Sequence, residues 1–246
     1  MKAAVYTGTR NLYREMVTAS KSLLINSDVD KIYLLVEDDE FPLEIPDIIE
    51  VINVKNQKWF PSDGPNMQTV YSYMAMIRVA FCHIFPELDR ILSLDVDTIV
   101  DKDISDIWDL PIDDYYLAAC HEIHRTHKSG LNKNFSEAEF MYCNAGVVLF
   151  NLAKLRNGKA DEMIEMLNRR RYRWVDQDAM NYLCQGWIYD MPSDYNDNDW
   201  TVRPNAVKIK HYAGIKNWQN LEYVMKYRTI PWDEVLRLHE KLKGGI

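Results

Sequence analysis

Short apolar runs rich in β-branched residues alternate along this chain with longer segments of helical period, and that alternation confines the fold to the α/β class. The predicted strands are Ala3 to Thr7, Lys31 to Val36, Ile49 to Val54, Arg90 to Leu94, Tyr115 to Cys120, Ala145 to Phe150 and Val207 to Lys210. Most are hydrophobic throughout, as strands covered on both faces are. Asn11 to Asn26 reads as the first crossover helix. Tyr73, Met76, Ile77, Ala80, Phe81 and Ile84 recur at i, i+3, i+4 and predict a helix with one buried stripe, closed by Pro86. Asp161 to Arg171 is a further predicted helix, acidic at its start and ending in Arg169, Arg170 and Arg171, with Arg173 just beyond. Those cations complement the helix dipole, or they form a basic rim facing an acceptor. The chain carries no internal repeat, and the loop from Trp59 to Pro65 is too short for a linker, so a single domain over 1–246 is expected.

Charge excludes some partners. The 246 residues carry a net charge of -8, but residues 203–246 hold nine Lys or Arg against four Asp or Glu, a local +5. The first 202 residues therefore carry -13, a poor surface for nucleic acid. The basic end suits a phosphorylated ligand or an anionic surface, or is a solvated charged helix. No apolar run approaches the roughly 18 residues that cross a bilayer. Without a basic leader and cleavage site, and with Cys82, Cys120, Cys143 and Cys184 in no CxxC pair, four reduced, buried thiols in a cytoplasmic protein are expected.

The densest chemistry follows the strand Arg90 to Leu94, where the chain continues Asp95-Val96-Asp97-Thr98. Acids two apart on an extended segment project to the same side, here at the carboxyl end of a sheet strand, where open α/β sheets bind ligands. Two carboxylates leaving an apolar strand need an offsetting charge, and a divalent cation supplies it. A calcium loop from Asp95 fails because Ile99 and Val100 stand where an oxygen ligand and Gly are required. Tyr6-Thr7-Gly8-Thr9-Arg10 has one glycine of a dinucleotide fingerprint, and no phosphate-cradling GxxxxGK[ST] occurs. In His121-Glu122-Ile123-His124-Arg125-Thr126-His127, Arg125 stands where a zinc protease needs its second His, leaving a solvated polar loop at a cleft rim or three histidines that bind adventitious zinc.

With Asp95-Val96-Asp97 in place, the chain resembles the retaining glycosyltransferases of family 8, the group containing glycogenin and bacterial lipopolysaccharide galactosyl- and glucosyltransferases, over nearly its whole length. The order of four further blocks carries the likeness: Tyr6 to Tyr13, Arg78 in the helix before the acidic pair, Cys143-Asn144-Ala145-Gly146 followed by Asp176-Gln177-Asp178, and His211-Tyr212-Ala213-Gly214-Ile215-Lys216-Asn217-Trp218. The last is one residue shorter between Gly and Lys than the family's pattern, with Asn217 where Pro is usual; Arg10 replaces the family's Asn or Asp.

The resemblance implies a GT-A fold, with a mixed, mostly parallel Rossmann-like sheet and residues 203–246 closing the nucleotide site. It implies donor contacts from Thr7, Thr9, Tyr13, Arg78, Val96, Gly214 and Lys216, metal ligation by Asp95, Asp97 and His211, and Asp176, Gln177 and Asn144 beside the reacting anomeric carbon. Mn²⁺, with Mg²⁺ as substitute, suits a mixed carboxylate and imidazole set. The implied reaction moves glucose or galactose from a UDP-sugar, retaining the α configuration. Either Gln177 or Asp176 acts from the β face, or the departing phosphate deprotonates the acceptor on the same face, the favoured route. Asp176 reads otherwise as an N-cap for a helix Ala179 to Cys184. Glu122 to Phe140 is the expected acceptor loop. The expected partners are a glycan, lipid-linked or peptide acceptor, a peripheral membrane contact through Trp232 to Lys243 and a homodimer. A UDP-sugar hydrolase or nucleotidyltransferase, or a sugar-nucleotide binding module without turnover, are the competing functions.

Overall fold

The computed structural model describes residues 1–69, 71–122, 141–199 and 207–244. The apolar runs form strands β1 (Ala3–Thr7), β2 (Lys31–Val36), β3 (Ile49–Asn53), β4 (Arg90–Leu94), β5 (Thr98–Val100), β6 (Leu117–His121), β7 (Cys143–Asn151), β8 (Ile188–Asp190) and β9 (Ile209–His211). Seven make one sheet in the order β3-β2-β1-β4-β7-β6-β8, and β5 pairs with β9 outside it. The pairs β1–β2, β1–β4, β2–β3 and β6–β8 are parallel, whereas β7 runs antiparallel to both β4 and β6. The sheet is therefore mixed and mostly parallel, as expected. Its alternate residues feed two cores: Ala3, Val5, Leu35 and Ile91 on one face, Ala4, Tyr6, Leu34 and Leu92 on the other. All four cysteines are free and buried.

The helices are α1 (Tyr13–Ile25), α2 (Phe81–Ile84), α3 (Leu152–Leu155), α4 (Lys159–Arg169), α5 (Val175–Leu183), α6 (Glu222–Thr229) and α7 (Trp232–Gly244). Three expectations change. The stripe from Tyr73 to Ile84 is a 3-10 helix over Tyr73–Ala80, its start capped by Ser72 Oγ accepting from Met74 N, and only α2 is α-helical. Over so few turns, apolar spacing cannot separate three residues per turn from 3.6. Asp176 is not an N-cap: α5 begins at Val175, and Asp178 reaches back to accept from Trp174 N at 3.0 Å. The last predicted strand lies further along, at Ile209–His211, because its partner β5 sets the register, with Thr98 opposite His211.

The basic C-terminal segment folds onto the body. Helices α6 and α7 pack against α1. Lys21 donates to Ile230 O at 2.6 Å, Trp232 Nε1 to Glu44 O at 3.0 Å, and Lys243 pairs with Asp30. Val235 and His239 are fully buried in this packing, while Leu236, Leu238 and Leu242 are half-buried. Among the described residues no helix is long and apolar enough to cross a membrane.

Candidate functional site

Strand β4 ends near the middle of the sheet, and the chain leaves it in a turn. Asp95 N donates to Gly146 O at 2.8 Å, while Thr98 Oγ1 and N donate back to Asp95 O at 2.7 and 3.2 Å. The two acids therefore stand on a turn joining β4 to β5 and not on extended chain, yet both still face one point. Pairing of β5 with β9 brings the third group: His211 Nε2 lies 3.3 Å from Asp97 Oδ1 and 3.7 Å from Asp95 Oδ2. Ligand atoms of Asp95, Asp97 and His211 all fall within 4.8 Å of one another.

These groups line a cavity of about 350 Å³ together with Tyr71, Arg78, Glu122, Asn144, Trp174, Asp176, Gln177 and Gly214. Arg78 is its fixed cation. The guanidinium is 4% exposed; Nη2 lies 2.6 Å from Asp95 Oδ1, Nε 3.0 Å from Asp176 Oδ2, and Nη1 donates to Ala145 O. Burial would lower its pKa, but Asp95 and Asp176 outweigh burial and hold it well above the ordinary arginine value. Asp176 shows the opposite balance: burial, reinforced by Asp95, overcomes the pull of Arg78 and pushes its carboxyl up to about 7. Asp97 and His211 form a pair in which mutual attraction wins over burial for each. The carboxyl falls below its usual range and the imidazole rises above its own.

Strand β7 supplies the floor. Asn144 Oδ1 accepts from Gly146 N at 2.8 Å, and Ala145 N donates to Gln177 Oε1 at 2.9 Å. A Cβ at Gly146 would overlap the His211 ring, so only glycine lets the imidazole approach this strand. Gly214 takes a left-handed φ of 76°, and Asn217, where the family has Pro, one of 55°.

The sequence-derived set divides in two. Asp95, Asp97, His211, Arg78, Asn144, Asp176, Gln177 and Gly214 converge on this cavity. Thr7, Thr9 and Tyr13 lie at and beyond the end of β1, outside its lining: Tyr13 OH donates to Asp38 Oδ2 at 2.8 Å and Thr9 Oγ1 to Asn11 Oδ1 at 2.6 Å. Val96 packs on the core, and Lys216 is exposed and outside the cavity lining. The arginines at the end of α4 and beyond also stand apart, Arg169 pairing with Glu165 and Arg170 with the Tyr172 ring. Arg173 lies over the ring of Trp174, which lines the cavity. Of the acceptor loop, residues 123–140 lie outside the described residues.

Sequence reasoning had Glu122 only as the start of the acceptor loop, and missed Asn196. Glu122, just past the end of β6, is 2% exposed and accepts from Asn144 Nδ2 at 2.8 Å and Asn198 Nδ2 at 3.0 Å. Its place beyond a strand's carboxyl end is the signal that could have found it; the histidines around it drew attention away.

The family model described as glycosyl transferase family 8 matches residues 4–222. A putative glycosyltransferase of Haemophilus influenzae is 26% identical over 170 residues, covering 62% of this chain and 52% of that protein. Lipopolysaccharide 1,2-glucosyltransferase of Escherichia coli is 32% identical over 114 residues, 44% of this chain and 33% of that protein. The chain thus matches about half or less of the length of these curated relatives. Among solved structures, galactosyltransferase LgtC in complex with donor and acceptor sugar analogues superposes with a TM-score of 0.69 at 19% identity, covering 94% of this chain and 98% of that one. That likeness establishes the GT-A fold.

Proposed function

Since this chain belongs to glycosyltransferase family 8, we propose that it moves a hexose, glucose or galactose, from a UDP-sugar to a hydroxyl of a glycan or lipid-linked acceptor, with retention at the anomeric carbon. One observation carries the reading: two carboxylates and an imidazole converge within 4.8 Å in the lining of a cavity whose wall also holds a buried arginine. Cleaving the bond between anomeric carbon and phosphate puts negative charge on UDP, so the site must be cationic where the diphosphate leaves.

Asp95, Asp97 and His211 would hold Mn²⁺ or Mg²⁺, a hard to borderline cation suited to oxygen and imidazole ligands, which would neutralise the departing diphosphate. Arg78 adds a fixed positive charge on the sugar side of that point. Asp176 and Gln177, both lining the cavity, orient the sugar. Gln177 Oε1 accepts from Ala145 N, and attack by that oxygen would first have to break this bond. The same-face route, with the leaving phosphate oxygen taking the acceptor's proton, asks no such rearrangement. Thr7, Thr9 and Tyr13 take the uridine, and Lys216 and the Gly214 N–H take the phosphates. Lipopolysaccharide or another surface glycan is the acceptor class, supported by the name of the E. coli relative.

The test is UDP release from UDP-glucose and UDP-galactose with Mn²⁺, first without and then with acceptor, with products separated chromatographically. UDP and free or transferred hexose are expected. UMP with sugar 1-phosphate would replace the proposal with a nucleotide-cleaving activity, and tight UDP binding without turnover of any donor would make the chain a binding module.

A further inference from the structure

Four buried side chains run in an unbroken line from the cavity wall to the rear of the histidine. Glu122 Oε2 accepts from Asn144 Nδ2 at 2.8 Å, Asn144 Oδ1 accepts from Asn196 Nδ2 at 2.9 Å, and Asn196 Oδ1 lies 2.9 Å from His211 Nδ1. Each of the four is less than a tenth exposed.

The direction of every bond in this line is forced from its ends. A backbone N–H can only donate, so Gly146 N fixes Oδ1 of Asn144 as the acceptor. The carboxylate of Glu122 agrees, taking the amide N–H of the same side chain. With Asn144 Oδ1 turned inward, Asn196 must present its NH₂ group there and its oxygen to the histidine. Only a protonated Nδ1 satisfies that oxygen, which leaves Nε2 as the nitrogen aimed at Asp95 and Asp97. Flipping Asn144 would oppose like groups at Glu122, Gly146 N and Asn196, and flipping Asn196 would set its oxygen against that of Asn144, each inside a buried line of side chains.

We propose that Asn196 is a positioning residue for the Asp95–Asp97–His211 centre: it holds the imidazole with Nδ1 protonated and Nε2 presented as the ligand, and takes its own orientation from Glu122 through Asn144. A histidine that gives its second N–H to a fixed acceptor is locked in tautomer and ring angle and becomes a better ligand. Asn196 reaches none of the reacting atoms; it acts through His211. The relay runs from Glu122, on the cavity wall, to the histidine of the cation site.

This inference rests on the metal reading above, and one experiment separates the two. Mn²⁺ alone, without nucleotide, is titrated into the wild-type chain and into Asp97→Asn, Asn196→Ala and Asn196→Asp, free Mn²⁺ being read by electron paramagnetic resonance. The thermal midpoint of each metal-free protein is measured alongside. If Asp97→Asn binds as the wild type does, the metal reading itself fails. If that variant loses binding, Asn196→Ala is expected to weaken Mn²⁺ by about 10- to 100-fold. Asn196→Asp still accepts the Nδ1 proton but cannot donate to Asn144, so it is expected to melt lower yet bind within about fivefold of the wild type. A loss below about fivefold in Asn196→Ala, or above it in Asn196→Asp, would overturn the proposal. Should the Ala variant fail to fold, the Asp variant decides by the same threshold.

Discussion

The imidazole of His211 occupies the space in which a side chain at residue 146 would stand. The ring thus lies directly against the backbone of β7, the strand whose Gly146 carbonyl also accepts from Asp95 N. Gly146→Ala must push the ring away from the two carboxylates or bend the central strand. Overpacking of this kind costs about 1 to 3 kcal/mol. The variant is expected to melt several degrees lower and to bind Mn²⁺ more weakly, measured by calorimetry on the folded fraction. Unchanged Mn²⁺ affinity with a lower melting point would mean that the strand gives way and the ring stays, and no change in either would refute the overlap.

Asp97→Asn removes a charge and a ligand while leaving the turn intact. Metal contributes several kcal/mol of charge stabilisation in such transfers, and each 1.4 kcal/mol is about tenfold in rate. Turnover is therefore expected to fall by more than about a hundredfold, with Mn²⁺ binding lost in parallel. A variant as active as the wild type would remove Asp97 from the site.

Arg78→Lys keeps the charge and loses the fork. An ammonium cannot reach Asp95, Asp176 and the Ala145 carbonyl together, as the guanidinium does. Leaving a buried acceptor unmet costs about 1 to 3 kcal/mol. The expected outcome is lower stability by that amount in urea unfolding and a fall in kcat. Wild-type behaviour in both would assign Arg78 a surface role that its burial denies.

Asp176 gives stability a pH dependence of definite sign. Burial lifts its carboxyl to about 7 in the native chain, whereas the unfolded value is near 4. Between those values the folded protein holds a proton that the unfolded chain has released. The stabilisation is complete below about pH 4 and is lost as pH rises to about 7, with a slope of at most about 1.4 kcal/mol per pH unit. Asp176→Asn cannot titrate, so the stability of the variant relative to the wild type should climb across that window. A constant difference between their melting curves from pH 4 to 7 would refute the shift.

How far the chain could be read in advance depended on the range of the interactions. Strands β1, β2 and β4 are legible because their apolar runs are buried on both faces, and the acidic pair is legible because it directly follows one of them. Arg78 and His211 were placed by the order of motifs, and the structure brings both to the cavity. The 3-10 geometry around Arg78 was hidden because its apolar spacing fits either helix. Asp176, placed in the site by the order of motifs, had a cap as its alternative reading because the helix was expected to start later; its partner is Arg78, a contact that no local pattern encodes. The same holds for Asn196, which sits in the polar stretch Asp194-Tyr195-Asn196-Asp197-Asn198 with nothing to single it out. The roles of Thr9, Tyr13 and Lys216 rest on family likeness, and their side chains lie outside the cavity.

The short pairing of β5 with β9 limits how this protein could be recombined. A graft that exchanged residues 207–244 for those of a related enzyme would have to supply more than a histidine. It would need a strand that docks on Thr98 without slipping, since a shift of one residue turns every side chain of β9 to the opposite face. Slipped one way, Lys210 would be presented toward the carboxylates; slipped the other way, His211 would take the buried place where Lys210 now meets Asp197 and Tyr212 would face them. The transplanted segment would hold the right residues and deliver the wrong one.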